Sequence, residues 1–227
     1  DMDRRRYLQT VAAAGAVGTA GCLDAVPVVG SDTVLSPPEQ DLSAAVHPSH
    51  GDEVPSVTMP DPLSGREVST DQFAGERAFL LTFIYTNCPD GMCPALTLRL
   101  RRAQAVAAEE GFGDDAAFLA MTFDPERDTA DVLRSYAEER GVDLDAGNWH
   151  FLRPESYEAG KSTISEEFGL KIEKADAAEY EALDYRFPHI SLILLVNRRG
   201  IVERAYPRGA TVDVGRVVDD FRTVATA

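Results

Sequence analysis

From about Val54 to its end, the chain alternates between short apolar runs and longer amphipathic stretches. A nearly continuous apolar run at 78–85 predicts a central strand that is covered on both faces, and the runs at 117–123 and 190–197 predict further strands. Stretches with apolar residues at helical spacing follow the first two runs. The remaining pattern predicts short strands at 57–59, 67–69, 150–152 and 201–206, and helices at 94–110, 129–140, 157–168 and 212–225.

The order of these elements indicates the fold class. Strand, helix, strand, helix, then a hairpin and a last helix is the order of a thioredoxin-like fold. We therefore expect an α/β protein in which helices flank a central mixed sheet, with an N-terminal extension in front of it. This domain is predicted to span residues 54–227.

Residues 1–21 have the layout of an export signal. Arginines at 4–6 precede an apolar, small-residue run at 10–20, as in a twin-arginine signal. The run is too short to span a bilayer. It leads into Thr-Ala-Gly-Cys, which resembles a lipobox, so we expect a lipid on Cys22 that holds the protein on the extracytoplasmic face of the cell membrane. The alternative is a cytosolic protein with an arginine-rich start and a chance cysteine.

Residues 22–53 are rich in Pro, Ser, Gly and Asp and show no sustained hydrophobic period. This composition predicts a flexible tether between Cys22 and the folded domain. His47 and His50 lie on it. A weak metal site is conceivable there, but a flexible segment pre-organises nothing, so we expect two solvated histidines.

Charge narrows the function classes. The 22 Lys and Arg residues against 38 Asp and Glu give a net charge of −16, which repels nucleic acid and anionic lipid headgroups. Only Lys161, Lys171 and Lys174 are lysines. This preference for arginine, with abundant acid, is typical of a halophilic proteome, in which excess charge serves solubility. No nucleic-acid partner is therefore expected.

Two cysteines lie together in one predicted loop. Cys88 and Cys93 follow the strand at 78–85 and precede a helix start marked by Pro94, the position at which α/β sheets carry their sites. The positive end of the helix would favour the thiolate of Cys93. Two neighbouring thiolates form a reversible disulfide or bind a soft metal such as Cu(I) or zinc. A purely structural disulfide is the alternative.

His189 is a third candidate. It follows Phe-Pro directly before the apolar run at 190–197, and in a thioredoxin-like sheet the loop before this strand lies beside the cysteine loop. An imidazole there would complete a copper site of two sulfurs and one nitrogen. A lone histidine before a strand more often only packs, so this interpretation needs separate support.

That support is a resemblance to a known family. The chain resembles the SCO/SenC family over most of residues 54–221. The similarity is most specific in the paired Cys-Pro and in the string Asp-Pro-Glu-Arg-Asp-Thr. The segments that match in order and spacing lie at 82–90, 93–94, 123–129, 148–152, 189 and 197–200.

The resemblance implies a membrane-anchored, thioredoxin-like copper chaperone. Carried over by position, the copper ligands are Cys88, Cys93 and His189, with Cu(I) favoured and Cu(II) the alternative. Asp124 is implied to lie near the metal without binding it. The implied partner is the copper-site subunit of cytochrome oxidase, whose dinuclear copper site such proteins supply with copper, reduce at its cysteines, or both.

The chain departs from the family pattern in two places. Four residues separate Cys88 from Cys93 where the family has three, and Gly91 supplies the backbone freedom for the extra residue. Pro188 replaces the acidic residue that commonly precedes the histidine, which favours thiol chemistry. Met92 is a soft donor in the same loop, but we expect it to pack.

Two alternatives stay open on these residues. Cys88 and Cys93 would also serve as the catalytic pair of a thiol-disulfide oxidoreductase that reduces partner cysteines. A peroxidase is not favoured, because no Pro-x-x-x-Thr-x-x-Cys string surrounds Cys88. For Asp124, a role in loop architecture has equal weight, with Asp128 or Thr129 capping the following helix.

Overall fold

A mixed sheet of five strands lies at the centre of the protein. The computed structural model describes residues 32–180, 183–188 and 191–227. Its helices are α1 (Met92–Glu110), α2 (Ala130–Glu139), α3 (Tyr157–Phe168) and α4 (Val214–Ala225). Its strands are β1 (Thr58–Asp61), β2 (Arg66–Ser69), β3 (Ala78–Ile84), β4 (Ala116–Thr122), β5 (Trp149–Leu152), β6 (Ala175–Asp176), β7 (Tyr185–Arg186), β8 (Ile193–Val196) and β9 (Val202–Tyr206).

The order in the central sheet is β5-β4-β3-β8-β9. The first three strands are parallel, and β8 and β9 run antiparallel to their neighbours. β3 and β4 are buried at every position, and for β3 this confirms the prediction from its apolar run. Ile84 pairs with Thr122, and Ile193 lies opposite Thr82. The loops that follow Ile84 and Thr122 and the one that precedes Ile193 therefore meet at one end of the sheet, here called the site end.

Helices cover both faces of this sheet. α1 packs against α4 on one face, where the ring centroid of Phe221 lies 5.2 Å from that of Phe118. α3 lies on the opposite face, with the ring of Phe168 5.0 Å from Phe83. This arrangement confirms the predicted α/β class. Within the described ranges, no helix has the length and apolar composition needed to cross a membrane.

Some element boundaries differ from the predicted ones. α1 begins at Met92, ahead of the predicted start at 94, because Gly91 takes a left-handed φ of 74° and turns the chain there. α2 is capped by Thr129, one of the two predicted caps, whose side chain accepts a hydrogen bond from Val132 N–H. β6 and β7 lie outside the predicted set, since strands of two residues carry no hydrophobic period.

The described part of the predicted tether is folded against the sheet. The backbone N–H groups of Val34 and Leu35 donate to the buried carboxylate of Glu203, on β9, at 2.7 and 2.8 Å. Gly51 also bonds to the backbone of β9. β9 is an edge strand whose outer backbone groups need hydrogen-bond partners, and the buried carboxylate of Glu203 needs donors. The segment supplies hydrogen bonds to both. Residues 32–53 thus depart from the flexible tether that their composition predicts.

The two histidines of this segment are also held in place. His47 is buried, with Nδ1 2.9 Å from the carbonyl oxygen of Pro48. His50 is half-buried, with Nε2 3.0 Å from the carbonyl oxygen of Leu35. Neither is the solvated histidine that the sequence predicts. The predicted signal and Cys22 lie outside the described residues and stay predictions.

Candidate metal centre

The cysteine loop lies at the site end, between β3 and α1. Cys88 is half-buried in the loop, whereas Cys93 is buried in the first turn of the helix. Gly91 ends the loop in the left-handed conformation, and the carboxylate of Asp90 accepts a hydrogen bond from Met92 N–H at 3.1 Å. Gly91 thus provides the turn into α1, and Asp90 accepts a hydrogen bond from the first residue of the helix.

The fold brings the two predicted cysteines together. The N–H group of Cys93 donates to Cys88 Sγ at 3.3 Å, so the first turn of α1 presents a backbone donor to that sulfur. The sulfur of Cys93 accepts a hydrogen bond from Tyr85 N–H at 3.4 Å. Cys88 is thus the accessible sulfur and Cys93 the buried one, an arrangement suited to a soft metal or to disulfide exchange.

The surroundings make the two thiols chemically different. Burial raises the pKa of the Cys93 thiol well above its ordinary value, and the hydrogen bond with Cys88 and the charge of Cys88 raise it further. The expectation that the helix end favours a Cys93 thiolate is therefore wrong. The first turn of α1 directs its N–H to Cys88 instead, and burial disfavours a charged sulfur at Cys93.

Asp90 is a site residue that the sequence analysis did not assign. The thiol of Cys88 donates to Asp90 Oδ1 at 2.8 Å, and the same oxygen accepts the N–H of Met92. Asp90 therefore orients the accessible sulfur and the start of α1 together. The sequence signal that could have identified Asp90 is its position as an acidic residue between Cys88 and the turn residue Gly91.

Asp128 joins the cysteine loop to the loop that follows β4. Its carboxylate accepts the N–H of Thr86 at 3.2 Å, the hydroxyl of Thr86 at 2.5 Å and the hydroxyl of Thr122. Asp128 is fully buried, and this burial raises its pKa to about 6. The sequence offered Asp128 as a helix cap, but Thr129 takes that role. Asp128 instead holds the chain just before Cys88.

Asp124 is buried at the site end and bonds to a distant part of the chain. The hydroxyl of Tyr185, on β7, lies 2.9 Å from each carboxylate oxygen. Burial raises the pKa of Asp124, while the bond from Tyr185 and the charge of Lys174 act in the opposite direction. Asp124 therefore has a structural role, because it links the loop that follows β4 to β7. Its position near a metal stays a prediction.

Aromatic rings fix the chain that leads to His189. Phe187 is buried, and its ring lies 5.0 Å from Tyr85 and 5.2 Å from Phe123, both at edge-on angles. Its N–H group donates to the hydroxyl of Tyr85 at 3.4 Å. Since Tyr85 also bonds to Cys93, this cluster connects the segment before His189 to the cysteine loop. Sequence analysis named Phe187 only as a neighbour of the histidine.

His189 itself lies outside the described residues, so its role as a ligand stays a prediction. Among the residues that are described, no group of three or more His, Cys, Asp and Glu side chains has the geometry to hold a metal ion. Met92 is half-buried beside the cysteines. His150 belongs elsewhere, with its Nδ1 3.3 Å from Asp61 Oδ2.

These features define a thioredoxin-like protein with a cysteine pair between the end of a central strand and the start of a helix. A model of the SCO1/SenC family matches residues 62–226, well over half of the chain. The chain therefore belongs to the SCO1/SenC family. A comparison with curated proteins gives no match.

Solved structures with the same fold include several family members. A SCO1/SenC family lipoprotein from Bacillus anthracis is 20% identical, with a TM-score of 0.61, and the match covers 76% of this chain and 95% of the other. For Arabidopsis thaliana ScoI with copper bound, identity is 22% and the TM-score 0.60, over 78% and 100% of the two chains. For BsSco, identity is 24% and the TM-score 0.59, over 79% and 96%. These likenesses establish the fold.

Proposed function

We propose that this protein binds Cu(I) through Cys88, Cys93 and His189 and delivers copper to, or matures, the dinuclear copper site of a terminal cytochrome oxidase. The observation that carries the proposal is the 3.3 Å contact from Cys93 N–H to Cys88 Sγ, which places one accessible and one buried sulfur at the start of α1. Cysteine sulfur is a ligand type that Cu(I) prefers.

Relatives support this assignment. The Arabidopsis protein was solved with copper bound, and BsSco is a member of the Sco family of cytochrome c oxidase assembly proteins with a disulfide switch. In this chain the accessible Cys88 would receive and release the ion. The buried Cys93 would complete the pair, and both must give up their protons because thiolates are the binding form.

Anaerobic titration of the reduced full chain with Cu(I) tests this function. One copper per chain is expected, and His189→Ala should weaken binding substantially. His50→Gln is the matched control, because His50 bonds to a backbone carbonyl away from the cysteine loop. Absence of binding, or equal binding by the His189 variant and the control, would contradict the three-ligand site.

Thiol-disulfide exchange is the second candidate, and the unequal exposure of the two sulfurs favours it. The thiolate of Cys88 would attack a partner disulfide to give a mixed disulfide and a partner thiolate. Cys93 would then displace the second partner thiolate, leaving the partner reduced and Cys88 and Cys93 joined by a disulfide. Cys93→Ser should trap the mixed disulfide on a non-reducing gel, and Cys88→Ser should not.

For location, we propose export in the folded state and lipid attachment at Cys22 on the extracytoplasmic face of the cell membrane. The arginines at 4–6 and the lipobox-like end of the apolar run support it. Cys22→Ser should move the protein from the membrane fraction to the soluble fraction, with Cys88→Ser as the control that stays with the membrane. Equal membrane association of both variants would contradict the anchor.

A further inference from the structure

A pocket of about 480 Å³ lies between the N-terminal segment and the turn that joins β9 to α4. Residues 38–40 and Leu42 form one wall, and the other wall comes from the end of β9, the turn and the start of α4. The volume falls within the range of small-molecule sites, about 300–1,000 Å³. Arg204, Arg208 and Arg216 line this cavity, which is here called the arginine pocket.

The charges that line the arginine pocket favour an anion. The three arginines are positively charged, and among the described residues that line the pocket Glu39 is the only acidic one. The whole chain, in contrast, has 38 Asp and Glu residues and a net charge of −16. A local excess of positive charge on such a protein draws anions toward this pocket.

Arg204 is held in place and keeps an unused donor. Its side chain is 12% exposed, and a terminal N–H donates to the carbonyl oxygen of Glu203 at 2.7 Å. Its Nε lies 3.7 Å from Asp220, which is too far for a hydrogen bond. Within the described ranges this buried Nε has no hydrogen-bond acceptor. A buried donor needs an acceptor, and a ligand oxygen can supply it.

The acidic neighbour of Arg204 is already engaged. Asp220 accepts a hydrogen bond from the hydroxyl of Tyr206 at 2.6 Å. Burial raises the pKa of Tyr206, as does its bond to Asp220, whereas the charges of Arg204 and Arg216 act in the opposite direction. Both guanidinium groups therefore lie near one hydroxyl, although one arginine belongs to β9 and the other to α4.

The other two arginines are exposed side chains on a fixed backbone. The carbonyl oxygen of Arg208 accepts the N–H groups of Thr211 and Val212, which closes the turn. The N–H of Arg216 donates to Asp213 at 2.9 Å in the first turn of α4. In the part of the chain that the structure describes, neither guanidinium group takes part in an ion pair. Both are available to a ligand.

The turn that carries Arg208 is packed against α1. A side-chain carbon at Gly209 would meet Leu96 and Ile193 at 2.8 Å, so the backbone approaches α1 and β8 closely there. Arg99, on α1, donates from two nitrogens to the carbonyl oxygen of Val212 at 2.9 and 2.6 Å. This wall of the pocket is therefore formed before any ligand arrives, which lowers the ordering cost of binding.

We propose that the arginine pocket binds a phosphate group, carried by a small phosphate ester or by a lipid headgroup. A guanidinium group donates two parallel hydrogen bonds to neighbouring phosphate oxygens. Three such groups suit the nearly double negative charge of a phosphate monoester better than the single charge of a carboxylate. The half-buried Leu42 and Val212 provide apolar contacts for a short organic body. Copper is not required, since β9 lies two strands away from β3.

Calorimetric titration of the full chain with glycerol 3-phosphate tests the small-ester form, at low ionic strength because salt screens exposed charges. One site per chain is expected. Arg208→Gln and Arg216→Gln should each weaken binding about tenfold or more, because each removes charge-assisted hydrogen bonds. Arg102→Gln is the matched control, since Arg102 is exposed on α1 and outside the pocket. Glycerate, which has a carboxylate in place of the phosphate, should bind about tenfold more weakly than glycerol 3-phosphate.

Flotation with vesicles tests the lipid form, in a full chain that carries Cys22→Ser so that no lipid can be attached there. Vesicles that contain phosphatidic acid should bind the protein, and vesicles of phosphatidylcholine alone should not. Addition of Arg208→Gln should abolish this binding, and addition of Arg102→Gln should leave it unchanged. Binding in only one of the two assays identifies the source of the phosphate.

Three results would overturn the phosphate site. The first is the absence of saturable binding in both assays. The second is equal binding by the Arg208, Arg216 and Arg102 variants, which would show that the pocket is not where the phosphate lies. The third is equal affinity for glycerate and glycerol 3-phosphate without vesicle binding, which would leave a general anion site.

Discussion

The two arms that meet at the candidate site are built differently. The cysteine arm runs from β3 into α1 and is held by backbone geometry. Gly91 is left-handed at the start of the helix, and backbone N–H groups donate hydrogen bonds to both cysteine sulfurs. The strap, here residues 185–187, has a backbone ladder of only two residue pairs, between β6 and β7. Its further contacts depend on side chains: the rings around Phe187, the bond from Tyr185 to Asp124 and the ammonium of Lys174 over the ring of Tyr185.

The two kinds of contact predict different sensitivities to mutation in the two arms. Backbone geometry survives most side-chain substitutions, because helix and strand bonds do not depend on one residue type. The strap has only a two-residue ladder with β6, so it depends more on its rings and hydroxyls and shifts when one of them is removed. Changes in the strap should therefore act on His189 and leave the cysteines in place.

The largest expected effect comes from Phe187→Ala. Phe187 is 1% exposed, and removal of a buried phenylalanine costs about 3–5 kcal/mol in the free energy of unfolding. We expect that loss together with weaker copper binding. Phe73→Ala is the control, because Phe73 is a buried ring that packs on Phe79, away from the cysteine loop. It should lower stability and leave copper affinity unchanged. Equal copper affinity in the two variants would show that the strap does not affect the copper site.

Cys93→Ser should nearly abolish copper binding with little change in the strap. Groups that merely orient a ligand change metal affinity about 10- to 100-fold, so loss of a ligand should exceed that range. Anaerobic competition with a Cu(I) chelator measures it, with Met92→Leu as the neighbouring control in the same turn. Retention of affinity within about tenfold would remove Cys93 from the ligand set.

Tyr185→Phe should have an intermediate effect confined to the strap. The substitution removes the hydroxyl that lies 2.9 Å from both oxygens of Asp124 and leaves a buried carboxyl without that donor, at a cost of about 1–3 kcal/mol. Amide exchange at Phe187 should quicken, while iodoacetamide should modify Cys88 at the rate of the unmodified protein. A changed Cys88 rate would show that the two arms are not independent.

The smallest expected effect is the pH dependence that Asp128 adds. Its pKa of about 6 in the folded protein lies above the ordinary 3.8, so the folded state holds the proton more tightly than the unfolded chain. Its contribution to stability is therefore lost as pH rises, by about 1 kcal/mol between pH 5 and pH 7. Denaturant unfolding of Asp128→Asn should lack this decline, and the exposed Asp131→Asn should retain it. Parallel pH curves for Asp128→Asn and the unmodified protein would contradict the assignment.

The elements that sequence patterns predicted well are those whose residues share one environment. β3 is buried on both faces, and a nearly continuous apolar run is typical of such a strand. The cap at Thr129 was foreseen, together with Asp128 as its alternative, because a local side chain satisfies a local backbone donor.

The patterns failed where a segment is held by distant partners. Residues 32–53 have the composition of a tether, yet they fold because Glu203 is buried far along the chain and requires donors. β6 and β7 are too short to show a period. Lys174 and Tyr185 had no signal of their own, since their partners come from other elements.

Local sequence patterns were sufficient to predict the order of strands and helices, the fold class and a cysteine pair before a helix, because periodicity and loop position are local properties. The exposure of each sulfur, the burial of the carboxylates and the contacts of the strap became known from the three-dimensional structure. Those properties depend on desolvation and on contacts between residues far apart in the chain, such as Tyr185 with Asp124, and no local pattern records either.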